Sequence, residues 1–190
     1  APLATALTAS LFSLPAAAAL RDHAPAVPQR AALSARDFGQ RMPLQFDSGQ
    51  YPDQPASAGQ FCDVSGNGAT GAEPRPLGGR QWSWTSRDQR TSVTEVVTVW
   101  QHPRGAFRDV VSDTGYCRYA ALDYPNYAEQ LVFDGTTFVA SWDGTVVMTV
   151  KVDRALVSVS VTGDRPVGEL SEEALRLVNA AAARVDRANI

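Results

Sequence analysis

A chain of 190 residues, 44% hydrophobic and 19% charged, has the size and composition of one soluble domain, long enough to bury about 70% of its unfolded surface without metals or dense cross-links. Seventeen basic against twenty acidic side chains leave a net charge of -3 and no basic stripe, which excludes DNA and RNA as main partners. Lys151 is the only lysine, and the arginines stand scattered among acids as they do on a solvated face.

Residues 1–20 carry no charge: an apolar run from Leu3 to Leu14 precedes Pro15 and the alanines Ala16 to Ala19. This reads as a secretory signal peptide without its start methionine and basic region, ending in a small-residue cleavage site. The alternatives are a membrane anchor or a buried helix, but the run is short for a span and Pro15 interrupts it, so no stable membrane span is expected. Residues 21–30, with Ala24, Pro25, Val27 and Pro28, read as a Pro/Ala-rich linker, and residues 31–190 as a single domain.

Ala31 to Phe38 is expected to hold one short helix ending near Gly39, after which Pro43, Pro52 and Pro55 break up long elements as far as Phe61. Gly66-Asn67-Gly68-Ala69-Thr70-Gly71 matches the dinucleotide-binding glycine string, but Glu73-Pro74-Arg75-Pro76 forbids the helix such a site requires. Trp82 and Trp84 sit at period two in one strand, and Val93 to Trp100 form another. Pro103 then opens a helix with Ala106, Phe107, Val110 and Val111 on one face, closed by Gly115 just before Cys117.

From Tyr127 onward the pattern is a meander of short strands turning at Asp134-Gly135, Asp143-Gly144 and Asp153-Arg154. Val146, Met148, Val150 and Val152 line one face, as do Val157, Val159 and Val161, while Lys151, Ser158 and Ser160 lean toward water. A C-terminal helix capped by Ser171 carries the stripe Ala174, Leu175, Val178, Ala181, Ala182 and Val185, with a Glu172–Arg176 pair and Arg184 and Arg187 at its negative end. The sum is α+β: a curved antiparallel sheet with helices packed on one face.

Cys62 and Cys117 are the only cysteines, and in an exported chain an even pair reads as a disulfide, contributing roughly 4 kcal/mol on the chain-entropy model. With only His23 and His102 available, a metal site is poorly supplied, and no motif calls for a cofactor. Nor is there a nucleophile elbow, metalloprotease helix, phosphate loop or catalytic-cysteine signature. His102 near Asp109 or Asp113 is the one weak general-base arrangement, although a histidine before a helix-opening proline more commonly serves as a surface or cap residue. Among the four tryptophans, Trp84 and Trp100 are the candidate ligand-binding rings, with core filling as their other use.

The leading segment Ala32-Leu33-Ser34-Ala35-Arg36-Asp37-Phe38, a cysteine after a loop, the strand Val93 to Trp100, a helix running to Cys117, the hairpin meander and Val157-Ser158-Val159-Ser160-Val161-Thr162-Gly163-Asp164 before an alanine-rich helix resemble the PknH-type extracellular sensor domain of actinobacteria. The resemblance covers most of residues 31 to 188. It implies a strongly twisted antiparallel sheet, a cleft and a sensing role outside the cell, and it sets Cys62 and Cys117 where one family disulfide lies. Family members often carry a second disulfide, for which this chain has no cysteines. The expectation is a secreted, non-enzymatic domain binding a small molecule or a cell-envelope partner. Two rivals are a small-molecule enzyme using acid/base groups in a cleft and an extracellular interaction or inhibitor module.

Overall fold

A computed structural model describes residues 26–39, 41–50, 76–107, 128–132, 137–142 and 144–190. Their strands are β1 (Leu44–Asp47), β2 (Gly78–Thr85), β3 (Thr91–Val99), β4 (Ala128–Val132), β5 (Thr137–Trp142), β6 (Thr145–Val152) and β7 (Ala155–Gly163). The β-branched alternation of β3, β6 and β7 commits each strand to one apolar face, and two-residue turns fix the register. Gly144 at φ 67° and Asp153 at φ 44° supply the left-handed residues that the β5–β6 and β6–β7 hairpins need. The sheet order β1-β2-β3-β7-β6-β5-β4 joins two meanders along an antiparallel β3/β7 seam.

The expected α+β class and single domain hold, with one correction: the sheet is not strongly curved. Bulges bend sheets, and the one register shift in the described pairings falls between Leu44 and Phe46 at the edge, leaving the centre in unbroken ladders.

One face of the sheet is aliphatic. Val93, Val97, Val146, Met148, Val157, Val159 and Val161 are buried there beneath the helix α1 (Val167–Ala188), which lies across β6 and β7. α1 presents Leu170, Ala174, Leu177, Val178, Ala181, Val185 and Ala188, so the stripe runs one turn further at each end than its expected limits, and Leu175 and Ala182 sit at its margin. The helix starts after Pro166, whose extended ψ of 143° sets the boundary, and not at Ser171. Ser171 lies inside the helix and its hydroxyl donates back to the Val167 carbonyl at 2.7 Å, the habit of a mid-helix serine. Arg176 meets Glu173 at 3.9 Å rather than Glu172. No helix among the described residues is long and apolar enough to cross a membrane.

The leading segment also differs from expectation. In place of a helix over 31–38 there is a 3-10 turn at Gln29–Ala31, then a turn in which the Ser34 amide and hydroxyl both donate to the Asp37 carboxylate at 2.6 and 2.9 Å. The Leu33 amide is drawn to Glu95 of the sheet instead of to a helical carbonyl. Nor is 27–30 an unpacked linker: Val27 is fully buried, and the Gln50 side chain brackets its amide and carbonyl. Residues 27–38 form a strap across the aliphatic face, burying Val27, Ala31, Ala32, Leu33 and Phe38 beside α1.

Candidate functional site

Strand alternation that sends valines under α1 sends hydroxyls to the other face. Ser83, Thr94 and Ser160 stand in one cross-strand row and Thr85, Ser92, Thr162 and Thr145 in the next. Neighbours pair across strands: Ser83 with Thr94 at 3.0 Å, Thr145 with Thr162 at 3.1 Å, and Thr149 with Ser158 at 2.7 Å. Each such pair satisfies one donor and one acceptor, so the rest of the hydroxyl capacity at Ser83, Thr94, Ser160 and Thr162, which are not buried, faces outward. Ser158 departs from its expected outward role. It is buried, held by the bond to Thr149.

The second row runs into an open groove of about 450 Å³ lined by Gln89, Arg90, Ser92, Thr162, Asp164 and Arg165. The tight β2–β3 turn places Arg90. Ser86 donates to Asp88 at 2.6 Å, the Arg90 amide donates to Asp88 at 3.2 Å, and Gln89 takes a left-handed φ of 59°. Arg165 is anchored to Glu173 in the first turns of α1. The groove is polar and of mixed charge: Arg165 is already matched by Glu173 and Asp164 adds a carboxylate, so Arg90 and the hydroxyls are the groups that suit an anionic part of a ligand.

The opposite end of this face is apolar: Trp100, Ala106, Phe107, Phe138, Ala140 and Leu156 cluster there, with Trp142 packed against them. The helical turn at 103–107 therefore packs at the edge of the face away from α1.

The sequence-derived candidates are dispersed by this arrangement. Trp84 is 4% exposed, its ring 5.2 Å from Phe38 under the strap, whereas Trp100 lies on the other face with its indole N–H on Thr98 at 2.8 Å. The two rings cannot share a ligand through one surface, because residues of opposite parity point to opposite faces. His102 is exposed, and its carbonyl accepts from the Ala106 amide at 3.1 Å. Asp109, Asp113, Cys62 and Cys117 lie outside the described residues.

Sequence reading missed a cluster of charges beneath the strap. Glu95 shares the aliphatic face with Val93 and Val97, opposite Trp82 and Val159, and is fully buried. One carboxyl oxygen accepts from the Leu33 amide at 2.8 Å, and the other has no partner among the described residues. Burial pushes Glu95 up to about 8, with the Leu33 bond and the Arg184 charge opposing and the Asp37 charge assisting. Asp37 moves the other way: burial raises it, but the bonds from Ser34 and the Arg184 guanidinium 2.7 Å away prevail and lower it. The available signal was a lone acid at an inward position of a β-branched strand.

Against known proteins, the chain matches no family model and no curated sequence.

Proposed function

We propose that this protein is a secreted, non-catalytic ligand-binding domain, related to the PknH-type extracellular sensors, which holds a polar, anionic ligand on the hydroxyl-bearing face of its sheet. The observation that carries the reading is the continuity of the outward row Ser92–Thr162 with the groove between Arg90 and Arg165. A ligand lying there exchanges water for hydroxyl and guanidinium partners. Glu95, buried beneath the strap, and the half-buried Asp37 within it lie on the opposite side and serve the fold. Trp100 and Trp142 close the apolar end of the same face, so a ligand reaching that far changes their fluorescence.

The test is a titration with paired neutral and phosphorylated sugars, followed by amide chemical shifts. Shifts concentrated at Ser83, Thr94, Arg90 and Thr162, with phosphorylated sugars binding more tightly, support the reading. Arg90→Ala then weakens the anionic ligand by about tenfold, the scale of one hydrogen bond to a charged group. Shifts confined to other surfaces, or turnover of a ligand, overturn it. Export carries a second consequence, a Cys62–Cys117 disulfide: intact mass of non-reduced protein shows no alkylatable thiol, and replacing both by serine lowers stability by roughly 2–5 kcal/mol.

A further inference from the structure

We propose that residues 27–38 form a proton-operated strap, seated on the sheet while Glu95 is a neutral acid and loosened when Glu95 ionises. Three features of the geometry converge on it. Glu95 is fully buried, and among the described residues its side chain makes a single hydrogen bond, to the amide of Leu33 in the middle of the strap. Its other oxygen has no partner among the described residues, so an ionised carboxylate there is one donor short of what a buried charge requires. The strap is tied to α1 by bonds nearer the protein edge: Arg184 to Asp37 and Ser34 at 2.7 Å each, Arg176 to the Asp37 carbonyl, and Arg30 to the Ala188 carbonyl at 3.3 Å. β2 holds the other end of the strap, Arg80 donating to Gln29 and Val27 at 2.6 and 3.3 Å and the Trp82 indole N–H to Gln29 at 3.2 Å, so both ends stay tied while the middle, at Leu33, lets go.

The charges around Glu95 set the balance. From α1 comes Arg184, whose positive charge is paired with Asp37 of the strap, so the two act on Glu95 in opposite directions. The strands on either side place Trp82 and Val159 opposite it, neither charged. Arg80, two residues from Trp82 along β2, is ion-paired with Asp47 at 2.7 Å. No cation is left over to hold an ionised Glu95 in place among the described residues. Water reaches the carboxylate by lifting the middle of the strap, which exposes the strap's own buried Ala31, Ala32 and Leu33.

Linkage fixes the sign. A carboxyl whose closed-state affinity for a proton exceeds its open-state affinity favours closure at low pH, and closure weakens by up to tenfold per pH unit between the ordinary carboxyl range and about 8, then levels. Hydrogen exchange of the Leu33 amide, compared at each pH with amides of β3 and β7, reads the strap against the sheet. Leu33 protection is expected to fall between pH 5 and 8 by more than tenfold relative to the sheet. In Glu95→Gln, which keeps an acceptor but cannot ionise, the difference between strap and sheet is expected to stay constant with pH. A Leu33 amide that tracks the sheet amides at every pH in the wild-type protein overturns the proposal. So does a Glu95 carboxyl carbon titrating at its ordinary value, a measurement that needs no variant.

Discussion

Trp84 packs against Phe38 with almost no exposed surface, and truncating a ring so placed leaves a cavity the neighbours cannot fill. Trp84→Ala is expected to lower unfolding free energy by about 3–5 kcal/mol, read from the denaturant midpoint, while leaving ligand affinity at the hydroxyl face unchanged in the folded fraction. A stable variant with lost binding would return the ring to the site. Ser171 offers the opposite case. Because its hydroxyl bonds back into the helix instead of capping it, Ser171→Ala is expected to leave stability unchanged or raise it by about 0.5 kcal/mol, whereas loss of a true N-cap costs about 1 kcal/mol. Thermal unfolding of the variant separates the two.

At the scale of elements, the strap and the hairpins carry the tests. A chain beginning at residue 26 keeps Val27, Ala31, Ala32 and Leu33 buried, while one beginning at 34 removes them and leaves Glu95 without its Leu33 donor. The shorter chain is expected to lose about 3–6 kcal/mol, from two large aliphatic side chains at the usual transfer values, and to give a lower denaturant midpoint. The β5–β6 hairpin turns on Gly144, where a positive φ is joined by a Gly163 carbonyl 3.2 Å from where a Cβ would stand. Gly144→Ala is expected to cost about 1–2 kcal/mol, measured by thermal unfolding, since strain and crowding act together there.

For the whole molecule, pH dependence follows from three carboxyls. Asp47 is held low chiefly by the Arg80 guanidinium, and Asp37 is low because its Ser34 and Arg184 partners outweigh the burial that raises it. Both therefore contribute stability above their ordinary carboxyl range, and it is lost as pH falls through that range. Glu95, raised from 4.5 to about 8, contributes most below 4.5 and loses that contribution as pH climbs to about 8. Melting temperature is expected to peak between pH 4 and 5, where both hold, and Glu95→Gln to flatten the limb above the peak. A wild-type maximum near pH 7–8 would contradict the buried neutral acid.

A few consecutive residues suffice to read the period-two valines of β6 and β7, the left-handed turns at Asp153 and Gly144, and most of the 3.6-residue stripe of α1. Those signals are local because side-chain parity and turn geometry are set within a strand or a loop. The candidate site was only half legible. The hydroxyls of Ser158 and Ser160 could be seen to oppose the valines, but not that Arg90 and Arg165, 75 positions apart, flank one groove with Ser92 and Thr162. Which face Trp84 and Trp100 take, and that they part company, required the sheet. Tertiary structure alone decided the fate of the leading segment. Leu33 finds its partner 62 residues away in Glu95 and Ser34 finds Arg184 at a separation of 150, and these distant bonds override a modest local preference for helix. A buried acid, a strap and a groove are each made by residues that meet only when the chain has folded, and no local period records such a meeting.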